Sequence, residues 1–277
     1  MMIVPLNPMQ LRNYLERVGF SGPVMANFGT LDMIVRGHVQ AIPFENIDVQ
    51  LGAKPGTDSD EAFAKLVERR RGGWCYEHNG VLGAALAAIG FDVVRISAGV
   101  TRQVRGNAAM GSHLCLLVEG KWLVDAGFGS WIGAPVPLEE GEWLHAPLPV
   151  SLARTDDRMW RLSVVPVAMS YDFHAVLADE AELARLCQWQ CTDPASVFVQ
   201  NLTAQRRDGE RYFMLRGRVL SEITAQGEVR HELGSADELV ACLREVFLLD
   251  APEAAALWPA ICARHEALFG DQAAPTT

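Results

Sequence analysis

In the stretch from Arg71 to Val100, RGGWCYEHNGVLGAALAAIGFDVVRISAGV, the spacing of apolar residues changes from a helical to a strand pattern. The apolar residues from about Cys75 to Ile89 predict a buried helix, which Gly90 closes. From Phe91 onward, short segments rich in β-branched residues alternate with glycine-containing turns, and that pattern indicates strands. The sequence therefore predicts helices before this point and sheet structure after it.

Helix start signals recur in the residues before this stretch. Asn7 is a candidate N-cap followed by Pro8 in the first turn. Asp58, with Glu61 three residues later, has the pattern of a capping box and starts another predicted helix. We therefore expect residues 1–90 to form an N-terminal helical bundle.

The residues after Gly90 contain further strand patterns, among them 160–168, 171–177 and the segments RYFMLRGRVL and SEITAQGEVRHEL. A charged stretch near Asp179 to Cys187 and a final stretch from Ser235 are predicted helices. Helices, then strands, then a mixed unit make an α+β chain and not an alternating βαβ one. The predicted units are a helical domain over 1–90, a β domain over 91–190, and a linker with a C-terminal α/β unit over 191–277.

Composition excludes several classes of partner. The chain has 277 residues and a formal net charge of −10, which disfavours nonspecific binding to nucleic acid or to an anionic membrane. It contains no long uninterrupted apolar tract of transmembrane length, and its first residues lack the pattern of a signal peptide. The six cysteines are therefore expected to be free thiols in the reducing cytoplasm.

Cys75 is the first candidate for chemistry. It follows Gly72-Gly73 at a predicted helix start, where backbone N–H groups converge and the helix dipole favours an anion. A thiol there loses its proton more readily, and the same N–H groups can stabilise an oxyanion on an attacked carbonyl. Most cysteines only pack in the core, so Cys75 by itself does not establish a catalytic site.

His113 and Asp125 strengthen the catalytic hypothesis. They lie in HLCLLVE and KWLVD, which the turn near Gly120 joins into a predicted hairpin. A three-residue turn centred on Gly120 pairs His113 with residue 127 and puts His113 and Asp125 on one face, whereas a two-residue turn would separate them unless a bulge intervened. Cys75, His113 and Asp125 then form a predicted nucleophile, base and orienting group.

Motifs along most of the chain resemble the arylamine N-acetyltransferase family. They are RGGWCYEHN, SHLCLLV and VDAGFGS, together with the upstream HVQAIPFENID and the downstream DPASVFVQNL and RYFMLRGRVL. The resemblance implies a cysteine-protease-like catalytic core, with the helical bundle followed by a central β-barrel-like domain and a small C-terminal α/β lid. It also implies a monomer or homodimer.

The resemblance implies a function as well: ping-pong transfer of an acetyl group from acetyl-CoA, the co-substrate, to an arylamine or arylhydrazine. Cys75 would carry the acetyl group as a thioester, His113 would take the thiol proton and Asp125 would fix its tautomer. The residues implied for the acceptor pocket are Phe44, Tyr76, Phe128 and Phe198. Those implied for coenzyme A contact are Ser112, Gly127 and Tyr212.

The sequence also departs from the family pattern. Trp74 stands where tyrosine or phenylalanine is usual, and Cys115 stands where an aliphatic residue is expected. Glu45 and Arg71 are placed to form an ion pair inside the first unit, which is a structural role.

Three alternatives share these residues. An amide synthase of the same architecture would close a macrolactam on a carrier-bound polyketide with the same triad. A transglutaminase-like or papain-like hydrolase also orders Cys, His and then an acidic or amide residue, and a binding protein would retain the triad only as a vestige. Cys187 and Cys191 lack a second pair of ligands, so no metal site is expected, and His78 is at most a supporting residue.

Overall fold

The N-terminal helices begin where the sequence places their caps. In this computed structural model, which describes residues 3–269, the Asn7 side chain accepts hydrogen bonds from Met9 N and Gln10 N, as predicted. The Asp58 side chain likewise accepts from Asp60 N and Glu61 N. The elements of this part are α1 (Pro8–Arg17), α2 (Phe28–Ala41), β1 (Phe44–Glu45), α3 (Ile47–Gln50), α4 (Ser59–Phe63), a π-helical turn (Ala64–Glu68) and α5 (Cys75–Ile89).

Helix α5 is the centre of this part of the molecule. It spans the predicted Cys75–Ile89, and Gly90 ends it in the left-handed region at φ 106°. Most of its side chains are buried, because α1 and α2 cover one side of it and the sheet that follows covers the other. The apolar residues of α5 thus have neighbours in every direction, which explains why they show little amphipathic pattern.

The strands after α5 form one antiparallel sheet of 8 strands, nearly closed and barrel-like, in the order β5-β4-β3-β2-β9-β8-β7-β6. The pairs Leu117↔Leu123 and Val118↔Trp122 show that a three-residue turn centred on Gly120 joins β3 and β4, the first of the two predicted alternatives. The elements are β2 (Val93–Val100), α6 (Arg102–Arg105), a 3₁₀ turn (Gly106–Ala109), β3 (Met110–Val118), β4 (Trp122–Val124), β5 (Val136–Pro137), β6 (Gly141–His145), β7 (Leu148–Arg154), β8 (Trp160–Val164), a 3₁₀ turn (Val165–Val167) and β9 (Met169–Phe173).

Two strand predictions in this sheet have the wrong bounds. The stretch predicted over 160–168 ends as a strand at Val164, because a 3₁₀ turn follows and Ala168 takes a positive φ of 52°. The next strand consequently begins at Met169 and ends at Phe173, before the predicted end at residue 177. The apolar run continues through the turn, so its composition does not reveal where the chain reverses.

The C-terminal part begins with the predicted charged helix, which Asp179 caps. Its sheet has 5 strands in the order β1-β10-β11-β12-β13, so the N-terminal strand β1 pairs with β10 through Phe44↔Gln205. The helix predicted from Ser235 is present, but it is followed by one more helix and is therefore not the last. The elements are α7 (Glu180–Thr192), α8 (Val197–Gln200), β10 (Thr203–Asp208), β11 (Arg211–Arg216), β12 (Val219–Thr224), β13 (Gly227–Glu232), α9 (Ala236–Glu245), a 3₁₀ turn (Pro252–Leu257) and α10 (Trp258–Phe269).

The resulting α+β architecture confirms the predicted fold class. Separate apolar cores lie under the N-terminal helices, inside the large sheet and beneath the C-terminal sheet. A smaller apolar cluster, which includes Cys75, Phe44 and Cys187, lies where these parts meet. Over residues 3–269, helices long and apolar enough to cross a bilayer are absent.

Candidate active site

Cys75 is the first residue of α5 and is buried with 3% of its surface exposed. The turn before it is held from both sides: Glu45 N donates to Gly73 O at 2.8 Å, and Trp74 N donates to the Glu77 carboxylate at 3.1 Å. The sulfur is therefore fixed at the positive end of a helix of 15 residues. The start of such a helix carries a partial positive charge, which therefore lies next to the sulfur.

His113 and Asp125 form a hydrogen-bonded pair. His113 lies in β3 and Asp125 directly follows β4, and the register of the hairpin brings His113 Nε2 to 2.7 Å from Asp125 Oδ2. Burial lowers the pKa of His113, but the charges of Asp125 and Cys75, and hydrogen bonds with both, outweigh it and raise that pKa to about 10. Because Asp125 occupies Nε2, the Nδ1 atom is the one left for Cys75. The predicted three residues are brought together.

Asn79 completes this arrangement and was not identified from the sequence. Its Nδ2 donates to Leu114 O at 2.7 Å and to Asp125 Oδ1 at 2.8 Å, and its Oδ1 accepts from Ala126 N at 3.0 Å. Asn79 lies four residues after Cys75 and so on the same side of α5. The spacing of four residues from Cys75 was the one signal in the sequence that could have identified Asn79. It indicates a role in the site only when the hairpin is known to pack against this side of α5.

Gly127 brings the loop after Asp125 into contact with α5. A methyl group placed on Gly127 would lie 2.5 Å from Cα of Cys75 and 2.8 Å from Nδ2 of Asn79. Gly127 N also donates to Asp125 Oδ1 at 2.9 Å. Only a residue without a side chain therefore lets the loop cross the start of the helix, and this close approach sets the distance between nucleophile and base.

Aromatic side chains lie on both sides of these residues. Phe198 contacts Trp74 at a ring-centroid distance of 5.5 Å and Phe44 at 6.2 Å, and Trp74 contacts Tyr76 at 5.4 Å. The structure thus brings the predicted Phe44, Tyr76 and Phe198 together around Trp74.

The fourth predicted pocket residue, Phe128, belongs to a different apolar cluster, the one inside the large sheet. Its ring meets His113 edge to face at 5.4 Å. Tyr171, which the sequence analysis did not identify, contacts both rings at 4.9 Å and encloses the imidazole. Tyr171 lies in β9, far from the triad in sequence, and no motif marked it.

Comparison with known proteins places this site in a family. A family model described as N-acetyltransferase matches residues 27–255. The arylamine N-acetyltransferase of Mycolicibacterium smegmatis is 36% identical over 235 residues, which are 80% of this chain and 85% of that protein. The chain belongs to the arylamine N-acetyltransferase family. The family predicted from the motifs, and with it the enzyme class, is confirmed.

Solved structures agree with this assignment to the arylamine N-acetyltransferases. The enzyme of Mycobacterium marinum in complex with CoA has a TM-score of 0.81 and 30% sequence identity, covering 92% of this chain and 97% of that one. The enzyme of M. tuberculosis has a TM-score of 0.81 and 31% identity, covering 91% and 99%. The predicted cysteine-protease-like core is therefore the fold of this chain.

Two of the residues predicted to contact coenzyme A have other contacts in this acetyltransferase. Tyr212 is completely buried, stacks on Trp131 at 3.8 Å and donates from its hydroxyl to Gly129 O at 2.7 Å. It therefore supports the loop after Gly127 and has no surface open to a ligand. The Ser112 hydroxyl accepts from Val100 N at 3.2 Å where β2 and β3 change register.

His78 belongs to a buried chain of hydrogen bonds behind α5. His78 Nε2 lies 3.2 Å from Pro43 O, His78 Nδ1 lies 2.9 Å from His38 Nε2, and His38 Nδ1 lies 2.8 Å from the Tyr14 hydroxyl. The contacts are satisfied when each neutral ring carries its proton on Nε2. His78 is thus occupied on both nitrogens and is not the base of the site.

The two neighbouring cysteines of α7 contact the same carbonyl group. The sulfur atoms of Cys187 and Cys191 both lie near Pro55 O, at 3.3 and 3.5 Å. Within residues 3–269 there is no group of three or more histidine, cysteine or acidic side chains placed to hold a metal ion. All six cysteines lie in this range, and each is a free thiol.

Proposed function

We propose that this chain transfers the acetyl group of acetyl-CoA to the nitrogen of an arylamine or arylhydrazine through an acetyl-Cys75 thioester. The observation that carries the proposal is the buried hydrogen-bonded series from Cys75 through His113 to Asp125, which begins at the first residue of α5. The coenzyme A complex of the M. marinum relative supports acetyl-CoA as the donor.

In the first half-reaction His113 accepts the Cys75 proton on Nδ1, and the sulfur attacks the carbonyl carbon of the acetyl thioester. The raised pKa of His113 favours the resulting imidazolium, because Asp125 supplies its countercharge. Backbone N–H groups at the start of α5 stabilise the oxyanion. The bond between the carbonyl carbon and the coenzyme A sulfur then breaks, and the departing thiolate takes the proton back from His113.

In the second half-reaction the amine nitrogen attacks the acetyl-Cys75 carbonyl, and His113 takes a proton from that nitrogen. The carbon–sulfur bond to Cys75 breaks and the N-acetyl product leaves. The aromatic residues Phe44, Trp74 and Phe198 offer edges and faces against which an arylamine ring can stack. They also exclude water, so the thioester persists until an amine arrives.

Further assignments rest on the family resemblance. Ser112 and Gly127 are proposed to lie beside coenzyme A, with Tyr212 acting through the loop it supports. The units 1–90, 91–190 and 191–277 are proposed as domains, the last as the lid over the site. The six free thiols support a cytoplasmic location.

Intact-protein mass spectrometry tests the thioester directly. Incubation with acetyl-CoA alone should add one acetyl group, and peptide mapping should locate it on the peptide that contains Cys75. Cys75→Ser should abolish the adduct, and Cys262→Ser, which changes a thiol away from the site, should retain it. Addition of an arylamine should then remove the acetyl group from the protein. Steady-state rates at several concentrations of both substrates should give parallel lines in double-reciprocal plots.

The same measurement separates the alternatives. An amide synthase would resist acetylation by acetyl-CoA, whereas a hydrolase would lose its acyl group to water without any amine. If the wild-type protein gains no mass with acetyl-CoA or with longer acyl-CoA donors, acetyl transfer through Cys75 is excluded.

A further inference from the structure

A buried charge cluster lies under the start of α5. The ammonium group of Lys65, whose side chain is 4% exposed, is 2.8 Å from Asp48, 3.1 Å from Glu77 and 3.8 Å from Glu45. Both glutamates are nearly or fully buried. One lysine is thus the partner of three carboxylates in the protein interior, where an unpaired charge lowers the stability of the fold.

Glu77 connects this cluster to the nucleophile. The oxygen that contacts Lys65, Oε2, also accepts from Trp74 N at 3.1 Å, one residue before Cys75. A methyl group on Gly73 would lie 2.6 Å from the same oxygen, so the turn before Cys75 packs directly on the carboxylate. Movement of the Glu77 carboxylate would therefore move the start of the helix that holds the sulfur.

The cluster also contains a second cation. Arg71 supplies the second cation, 3.6 Å from Glu45 and 3.7 Å from Asp48, and is itself engaged by Glu253. Three carboxylates already face two cations here. Without Lys65 only one cation would remain, and the larger excess of negative charge beneath the start of α5 would oppose a thiolate at Cys75. The other charged groups that face this cluster line the adjoining cavity; they are Lys54, Asp58, Glu61 and Arg69.

The pKa shifts agree with one cation shared by several carboxylates. Burial lowers the pKa of Lys65, but the charges of Glu45, Glu77 and Asp48 outweigh it and raise that pKa. For Glu77, burial and the charge of Glu45 raise the pKa, whereas the charge of Lys65 lowers it. The first two effects are larger, and the pKa of Glu77 is raised to about 7. A cavity of about 230 Å³, lined by Lys65 and Glu77 among others, borders the pair and offers water a route to it.

We propose that Lys65 and Glu77 are positioning residues for Cys75: Lys65 offsets part of the negative charge beneath the helix start, and Glu77 holds the turn that orients the sulfur. The proposal rests on the assignment of Cys75 as the nucleophile. It extends the site to the charged residues beneath the start of α5, and neither residue is given a part in the chemical steps.

Alkylation of Cys75 by iodoacetamide, followed as a function of pH from about 5 to about 10, tests the pair. Lys65→Met should shift the midpoint of the profile upward by about one pH unit, the order of magnitude expected from the loss of a nearby buried unit charge. Glu77→Gln keeps the acceptor for Trp74 N and removes a negative charge, so it should shift the midpoint downward. Opposite shifts identify a charge effect, since loosening of the turn would slow alkylation in both variants.

Two further variants control for side-chain loss. Lys65→Arg should restore the wild-type profile because it retains the cation. Lys54→Met makes the same substitution as Lys65→Met at an exposed position of the same cavity, and it should leave the midpoint unchanged. Circular dichroism establishes that each variant is folded. If Lys65→Met does not fold, the downward shift in Glu77→Gln still decides the question.

The proposal is overturned if Glu77→Gln leaves the midpoint where it is in the wild type or moves it upward. A folded Lys65→Met protein with a wild-type profile overturns it as well. Acetylation of the wild-type protein by acetyl-CoA is measured in parallel. If the wild type is acetylated on Cys75 and the profiles do not move, only the positioning role fails; if it is not acetylated, the proposed function fails.

Discussion

The amide group of Asn79 donates a hydrogen bond of 2.8 Å to Oδ1 of Asp125. This bond joins the helix that carries Cys75 to the carboxylate that holds His113. Asp125 Oδ1 also accepts from Gly127 N, which leaves Oδ2 for the imidazole. Both oxygens of the carboxylate are thus committed as acceptors, and the direction of each bond is fixed by its donor.

Asp125→Asn should reduce acetyl transfer by about three to four orders of magnitude, as loss of the orienting carboxylate does in catalytic triads. The donors Asn79 and Gly127 N require an acceptor, so the new amide will turn its oxygen toward them and its NH2 group toward His113. His113 must then accept on Nε2 and carry its proton on Nδ1, where it cannot take the Cys75 proton. Steady-state acetylation rates measure the loss.

Asp250→Asn is the matched control, because Asp250 is exposed and its carboxylate has no part in the site. It should retain wild-type rates. A folded Asp125→Asn enzyme with most of its activity would remove Asp125 from the mechanism.

Limited alkylation should label Cys75 before the other five cysteines near neutral pH. Burial raises the pKa of Cys115 and raises that of Cys242 to about 12, so neither thiol reacts readily. Cys191 is the competitor, because its hydrogen bond with Cys187 lowers its pKa and raises that of Cys187. Peptide mass spectrometry after brief iodoacetamide treatment gives the order of labelling; first labelling of Cys115 or Cys242 in the native protein would contradict the assignment of the nucleophile.

His78 should make the protein less stable in acid. Burial lowers its folded pKa to about 4, below the ordinary value of 6.5, and its accepting nitrogen already faces His38. The unfolded chain therefore binds more protons, so the contribution is complete above about pH 6.5 and is lost as pH falls towards 4. The loss amounts to about 3 kcal/mol of the free energy of unfolding at pH 4.

The titration of Glu77 should change the free energy of unfolding in the opposite direction, over almost the same pH range. Its folded pKa of about 7 exceeds the ordinary value of 4.5, so its contribution is complete below about pH 4.5 and is lost as pH rises through 7. The two effects offset each other in the wild type. Urea unfolding at several pH values should therefore show a shallower acid loss in His78→Asn and a steeper one in Glu77→Gln.

His174→Asn provides the control for this pair, since His174 is exposed and should leave the pH dependence unchanged. Equal slopes in the wild type, His78→Asn and Glu77→Gln would show that neither buried group titrates as described.

Gly127→Ala should impair acetyl transfer more than it impairs folding. The added methyl group would lie 2.5 Å from Cα of Cys75, so the loop or the helix start must move by several tenths of an ångström. Overpacking of this kind costs about 1–3 kcal/mol in stability, and a displacement of this kind at reacting groups can cost up to about a hundredfold in rate. Thermal melting and acetylation rates are measured together.

Gly56→Ala is the comparison, because outside the two adjoining residues the nearest atom to its methyl group would be 3.9 Å away. It should match the wild type in both measurements. A Gly127→Ala enzyme with full activity would show that the close contact between the loop and Cys75 is not needed for catalysis.

Local sequence signals predicted the parts of the fold that neighbouring residues determine. The caps at Asn7 and Asp58 and the end of α5 at Gly90 depend on hydrogen bonds within a few residues. The pairing of β3 with β4 depends on a short turn, so the sequence predicted the hairpin; the observed pairs then selected the three-residue turn that puts His113 and Asp125 on one face. In contrast, the strand predicted over 160–168 extended too far, because a chain reversal with φ 52° at Ala168 leaves no mark on apolar composition.

The local sequence established that a cysteine stands at a helix start and that a histidine and an aspartate belong to one hairpin. The observed three-residue turn between β3 and β4 then put the histidine and the aspartate on one face. Only the tertiary structure decided what surrounds them. Phe44 pairs with Gln205, Asn79 meets Asp125, Lys65 lies under the turn before Cys75, and Tyr212 is buried beneath Gly129. Each of these contacts joins residues that belong to different elements, and their energies come from packing and desolvation, which no local pattern encodes.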